Sequence, residues 1–324
     1  MIRRTVTLFS LLVVASVVLA EDVPLFPSMT PEQLANAVAK SQLRYEKYRT
    51  RYRLTYGTVV NADGFTGEFV PQEPSYTVDG DWGVDHSKGM AYLREDMFGT
   101  DKRTHYLTEA AFDGHMGSEL RQGGPGSTEW FGAVCKGLPK TIDPLSGVHH
   151  PRPEDALFWH IDGTDLASVL RKADECKIQT CWINGFKCYR VTLRLAREKT
   201  VLIPGREEEV RAQERRLVRV YLAPEMNMLP VSIDHLRTEA ADDMDGEVKE
   251  RWVLWDFREV SENLWFPHRA RRYVARAKSD PVAIDMTLWS VRVGESAEIP
   301  THVTFPEGAH VTDEIQGRNR EGHQ

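Results

Sequence analysis

Between Arg51 and Tyr56 the chain alternates strictly: Tyr52, Leu54 and Tyr56 are large and apolar, and Arg51, Arg53 and Thr55 between them are charged or polar. A period of two sends the first set to one side of an extended strand and the second to the other, the pattern of a half-buried β-strand. The same texture recurs along the chain. Strand-like runs cover 75–84, 89–95, 104–112 and the region of 116–121, divided by Gly and Asp turns. Later runs cover the 176–195 hairpin, 215–222, 229–238, 248–260, 264–277 and 283–293. Short polar links such as the acidic stretch 240–246 predict antiparallel meanders, not βαβ units.

Two helices interrupt this pattern. Thr30-Pro31-Glu32-Gln33 is a compact helix start: Thr30 caps, Pro31 suits the first helical position and Gln33 completes a capping box. Leu34, Ala37, Val38, Tyr45 and Tyr48 then hold one apolar face at helical spacing. The middle of the chain, from Gln122 to about Gly163, is rich in Gly and Pro and predicts loops with a short helix near 129–135. A second helix starts at Asp162 or Thr164, with Leu166, Val169, Leu170 and Ala173 on one face. The expected class is α+β, a single domain over residues 21–324 with a helical and loop insertion at about 122–175.

Residues 1–20 carry a different signal. Arg3 and Arg4 precede an apolar run from Leu8 to Leu19, Val18-Leu19-Ala20 offers a peptidase site, and Glu21-Asp22 ends the run. This is the pattern of a cleaved secretory signal, and the run is shorter than the roughly 20 apolar residues of a spanning helix. The expectation is a chain exported to the periplasm or beyond and not membrane-spanning. Without residues 1–20 the chain holds 39 basic and 48 acidic residues, a net charge of −9. Nucleic acid is a poor partner for so acidic a protein.

Four cysteines stand at 135, 176, 181 and 188, and an even count in an exported protein favours disulfides over metal. Asn184-Gly185 is a strong hairpin-turn signal. A two-residue turn there sets Cys181 opposite Cys188, the expected disulfide, on a hydrogen-bonded pair of positions. Cys176 remains a competing partner for Cys188.

Two segments resemble a known family. Leu217-Val218-Arg219-Val220-Tyr221-Leu222-Ala223-Pro224-Glu225, continuing through Leu229-Pro230-Val231, resembles the strand, Pro-Glu turn and Leu-Pro-Val strand of periplasmic lipoprotein carriers. Trp255-Asp256-Phe257-Arg258-Glu259-Val260 followed by Leu264-Trp265-Phe266-Pro267 is similar to another pair of their strands. The family is the outer-membrane lipoprotein-sorting superfamily of LolA- and LolB-type carriers. The resemblance implies a half-open antiparallel β-barrel, a curved sheet with helices covering its concave face and a hydrophobic cavity between them. It is strong over about 215–270 and weak over the rest. This chain is longer than the compact carriers, and their lid and functional Arg positions have no match here.

A curved sheet with an apolar inner face encloses a cavity that covering helices can gate. Tyr52, Leu54, Tyr92, Trp252, Leu254 and Phe266 are the candidates for that face, although an aromatic on a strand is more often ordinary core. Enzyme motifs are mostly absent: there is no G-x-S-x-G, H-E-x-x-H, P-loop or G-x-G-x-x-G. His149, His150, His160 and Asp162 allow a metal reading, but Pro151 and Pro153 favour a rigid exposed loop, and the expectation is no metal and no cofactor. Asp96, Asp101, Glu109 and Asp113 allow acid–base pairs, which a chain with 27% charged residues offers by chance. Arg269, Arg271, Arg272, Arg276 and Lys278 suggest a basic strand face.

These features converge on a non-enzymatic envelope protein that binds a lipid, an acylated protein or another hydrophobic ligand. The second reading is a sensor or scaffold of the same fold with an envelope protein partner. The third is a secreted hydrolase on a β-scaffold.

Overall fold

A computed structural model describes residues 26–60, 68–72, 76–99, 105–124, 127–143, 150–154, 160–161, 164–202, 209–237, 244–276, 279–315 and 318–321. The signal region, Asp101, His149, Asp162 and Lys278 lie outside these residues. The first described element is helix α1 (Pro31–Gln42), whose Thr30 cap and Gln33 form the expected capping box. It then enters β1 (Lys47–Val60), β2 (Glu68–Pro71), β3 (Tyr76–Asp85), β4 (Met90–Gly99), β5 (His105–Phe112), β6 (Met116–Gln122) and β7 (Trp130–Lys136). A small pair, β8 (His160–Ile161) and β9 (Thr164–Asp165), leads to α2 (Leu166–Lys172), capped by the Asp165 carboxylate on Ser168 N at 2.9 Å. There follow β10 (Glu175–Ile183), β11 (Phe186–Leu202), β12 (Glu209–Ala223), β13 (Leu229–Arg237), β14 (Glu247–Ser261), β15 (Leu264–Arg276) and β16 (Ser279–Val293). The chain ends with β17 (His310–Asp313) and β18 (Arg318–Glu321).

All of these strands except β8 and β9 belong to one large sheet, curved and unclosed, as a half-open barrel requires. Its order is β10-β11-β12-β13-β14-β15-β16-β1-β3-β4-β5-β6-β7-β17-β18, with β2 on β1. The chain thus starts mid-sheet, meanders one way to β7, crosses to the far edge and meanders back until β16 closes against β1. That last pairing is antiparallel and joins Tyr52 to Leu288 and Leu54 to Met286. It welds the two meanders into one sheet. Only the β7–β17 pairing is parallel among those described.

The short helix expected near 129–135 is instead strand β7. Trp130, Phe131 and Val134 are bulky strand formers, and pairing with β6 and β17 on its two sides overrides the loop-like flanks. The expected first helix also ends sooner: Tyr45 closes a 3-10 turn and Tyr48 is already in β1. Both still reach the core, at 1% and 0% exposure.

The sheet buries apolar residues on both faces. On one, Leu34, Ala35 and Val38 of α1 and Leu166, Val169 and Leu170 of α2 share a continuous cluster with Tyr52, Leu54, Val191, Val220, Trp252, Leu254, Phe266 and Met286. On the other, Ala297, Ile299 and Val303 of the segment after β16 pack on Tyr92, Ala111 and Leu120. Arg49 Nη1 donates to the Glu298 carbonyl at 2.9 Å, and Val303 N donates to Ser118 Oγ at 2.9 Å, tying that segment down.

Candidate functional site

The helix-bearing face collects five of the six side chains singled out from the sequence. Tyr52, Leu54, Trp252, Leu254 and Phe266 all belong to its cluster, none more than 5% exposed. Cross-strand register explains this: Leu54 faces Met286, Leu254 faces Ala270, Ala270 faces Met286 and Trp252 faces Ile233. Opposed residues in a ladder point to the same side, so an apolar row Leu254, Ala270, Met286 and Leu54 runs across β14, β15, β16 and β1, with Trp252 and Ile233 on the neighbouring row. Tyr56, Met97, Ile178, Leu195 and Ile284 extend the face as half-buried residues.

Tyr92 is not brought to this face. It pairs with Gly83 while its neighbour Leu93 pairs with Trp82 of the helix-side cluster. Strand alternation therefore turns Tyr92 to the opposite side, where Ile299 and Val303 cover it. Its hydroxyl donates to Glu109 at 2.9 Å.

The helix-side face also carries polar groups, several of them absent from the sequence reading. Tyr52 Oη donates to Glu95 Oε1 at 2.7 Å, two strands away. Gly80 of β3 lies between them, and a Cβ there would stand 2.1 Å from the Tyr52 ring. Burial first, and then Glu95, hold the Tyr52 phenol far above its ordinary pKa, so it is a fixed donor. Burial does the same to Tyr56, whose hydroxyl meets His150 Nδ1 at 2.5 Å. Thr141 Oγ1 donates to Glu119 Oε2 and accepts from Arg121 Nη2, each at 2.7 Å. Arg152, 3% exposed, lies 5.0 Å over the Trp82 ring and donates to the carbonyls of Thr141 and Ile142. Arg272 pairs with Glu250 at 2.8 Å beside Trp252. Glu95 was legible as a polar residue in the apolar register Leu93, Glu95, Met97. His150 was read from the sequence only as a metal candidate, and Arg152, set between Pro151 and Pro153, has no strand or helix periodicity to mark it.

Other expectations separate in space. Asp96 and Glu109 fall in the register of Tyr92, on the face of β4 and β5 away from the helices, and Asp113 accepts from Met116 N and His115 N in a turn, which lowers its pKa. The basic strand face divides, because neighbouring residues on a strand point oppositely. Arg271 pairs with Asp285 among the rings of Phe69, Trp255 and Tyr273, whereas Arg272 turns to Glu250. Among the described residues no group of three or more His, Cys, Asp or Glu is placed to hold a metal.

Cys181 and Cys188 stand directly opposite each other, in the register set by the Asn184-Gly185 turn, whose residues have φ of 51° and 83°. All four cysteines are thiols in the structure. Burial raises each of their pKa values, that of Cys188 to about 12. Among the described residues no helix is long and apolar enough to cross a membrane.

No protein-family model and no curated protein matches the sequence. Among solved structures, the chain is similar to a DUF1329 family protein from Desulfovibrio piger, with 10% identity, 83% of this chain and 96% of that one covered, and a TM-score of 0.40. It is also similar to a putative outer membrane lipoprotein-sorting protein domain from Vibrio parahaemolyticus, with 9% identity, 83% and 95% coverage and a TM-score of 0.39. A third is a beta-barrel-like protein of domain of unknown function DUF1849 from Brucella abortus, with 8% identity, 78% and 99% coverage and a TM-score of 0.25.

Proposed function

We propose that this chain is an exported, non-enzymatic carrier that takes an acyl chain of a lipid or an acylated protein onto the helix-side face of its sheet. The observation that carries this reading is the row Tyr52, Leu54, Leu254, Phe266 and Met286, continuous with α1 and α2 rather than with a second sheet. Two short helices, of 12 and 7 residues, lie over that row as a lid in this reading. Short amphipathic helices separate from a sheet at less cost than a second sheet does, because they share fewer contacts with it. An acyl chain regains about 0.8 kcal/mol per buried CH₂, so ten methylenes offset about 8 kcal/mol of lid displacement and association cost. The affinity is accordingly modest and reversible, as a carrier needs.

Titration of the signal-free chain with a fluorescent fatty acid tests the reading. Saturable uptake, competed by unlabelled fatty acid, is the expected result. Absence of uptake by any acyl ligand, together with a stoichiometric protein recovered from envelope extracts, would favour the sensor or scaffold reading instead.

A further inference from the structure

We propose that Cys181 and Cys188 form a reversible oxidation site, in which a small-molecule or protein disulfide converts the pair into a cross-strand bond on the hairpin at the edge of the sheet. The register brings these two sulfurs together and sets the other two apart. Cys181 lies opposite Cys188, whereas Cys176 lies opposite Leu193. Residues five apart on a strand point to opposite sides, so Cys176 and Cys181 cannot both approach Cys188. The packing agrees: Cys176 touches the helix-side cluster of Leu193 and Val191, while Cys181 and Cys188 sit with Ile183, Phe186, Tyr221 and Val231 on the other side. Cys135 is in β7 opposite Gly117, near the other end of the strand order, with its thiol toward the Gly137 carbonyl.

The chemistry balances with the donor disulfide as oxidant. Cys181, the less buried of the two and beside Arg190, attacks one donor sulfur as its thiolate and expels the first donor thiolate. Cys188 then attacks Cys181 Sγ and expels the second. Two thiols are oxidised by two electrons, the donor is reduced to two thiols, and the two protons pass to those thiols. Thiols raised in pKa by burial are poor nucleophiles, so the pair serves as a staple and not as a thiol-exchange catalyst.

Reversibility follows from the position in the ladder. With a two-residue turn, 181 and 188 occupy a hydrogen-bonded pair, where the Cα spacing of about 5.5 Å suits a disulfide but the Cβ atoms lie at the wide end of the cross-strand range. A disulfide wants its Cβ atoms about 3.8 Å apart, so closure pinches the hairpin and leaves the bond easily reduced. β10 ends the described strand order on this side, so the bond fixes an edge strand that pairs with one neighbour only.

Tryptic mapping of the full signal-free chain after equilibration in glutathione buffers tests this. Cleavage after Lys177, Lys187 and Arg190 separates the two cysteines. In oxidised glutathione the peptides 178–187 and 188–190 are expected to be joined, with loss of two hydrogens, and Cys176→Ser leaves that link intact. The comparison is a hairpin with its cysteines moved to the adjacent pair, Trp182→Cys and Lys187→Cys, in a Cys181→Ser, Cys188→Ser background, where loss of the Lys187 cleavage site leaves one peptide, 178–190, whose link is read as the loss of two hydrogens within it. The native link is expected to be half-reduced at a glutathione ratio at least tenfold less reducing than the shifted one needs. A link from Cys176 to Cys188, glutathione adducts in place of the link, or a native bond as resistant as the shifted one would overturn the proposal.

Discussion

Tyr52 reaches Glu95 across a strand that has no side chain in the way: its phenol donates to the carboxylate at 2.7 Å, directly over Gly80. The glycine is required for space. Tyr52→Phe removes the donor from Glu95 in a buried setting and is expected to cost about 1–3 kcal/mol. Gly80→Ala drives a Cβ into the ring and is expected to cost about 1–3 kcal/mol by overpacking. Urea unfolding monitored by circular dichroism measures both. A neutral Gly80→Ala would mean that the ring does not lie over β3.

Asp234 is fully buried in β13 and is held by Arg251 of β14 in two bonds, at 2.6 and 2.8 Å. Removing the guanidinium leaves a buried carboxylate without its counter-charge. Arg251→Met is therefore expected to lose about 3–5 kcal/mol, and Arg251→Met with Asp234→Leu to recover most of it. Equilibrium unfolding of the three proteins gives the answer.

His86, at the end of β3, contacts Glu154 at 3.2 Å. Glu154 is the largest influence on His86 and raises its pKa above the ordinary value, against the lowering effect of burial, with Asp85 and Glu46 adding to the rise. A raised folded-state pKa means that folding takes up a proton. The stabilisation is complete below the ordinary pKa of about 6.5 and fades as pH rises through the folded value. The stability lost in Glu154→Gln should thus be greatest near pH 6 and shrink toward pH 8. Unfolding midpoints across that range check the sign.

Much of the sheet was legible because strand alternation is local: the runs at 76–85, 105–112, 229–237 and 247–261 match the sequence pattern to within one or two residues. The turn at Asn184-Gly185 fixed the Cys181–Cys188 register for the same reason. What escaped was set by distant contacts. Strand β7 exists because β6 and β17 flank it, and β17 comes from a Gly- and Pro-rich tail without alternation. Tyr92 was assigned to the wrong side because its strand is buried on both faces, and apolarity there does not tell inside from outside. Arg152 and His150 are joined to Trp82 and Tyr56 only through tertiary packing.

Export carries its own prediction. The basic, apolar and Val18-Leu19-Ala20 succession calls for cleavage after Ala20. N-terminal sequencing of protein from the soluble envelope fraction should start at Glu21. Recovery of an intact chain from Met1 in membranes would contradict it.

The carrier reading rests on which face of the sheet meets an acyl chain. Photolysis of the bound protein with a photoactivatable fatty acid, followed by peptide mapping, locates that face. The expected insertions, lost on adding unlabelled fatty acid, fall in the peptides that hold Tyr52 and Leu54, Trp252 and Leu254, and Phe266. Tyr92, Ile299 and Val303 cover the opposite face of the same sheet and should stay unlabelled. Insertion confined to Tyr92 and Ile299, or labelling that unlabelled fatty acid does not compete, would contradict the account.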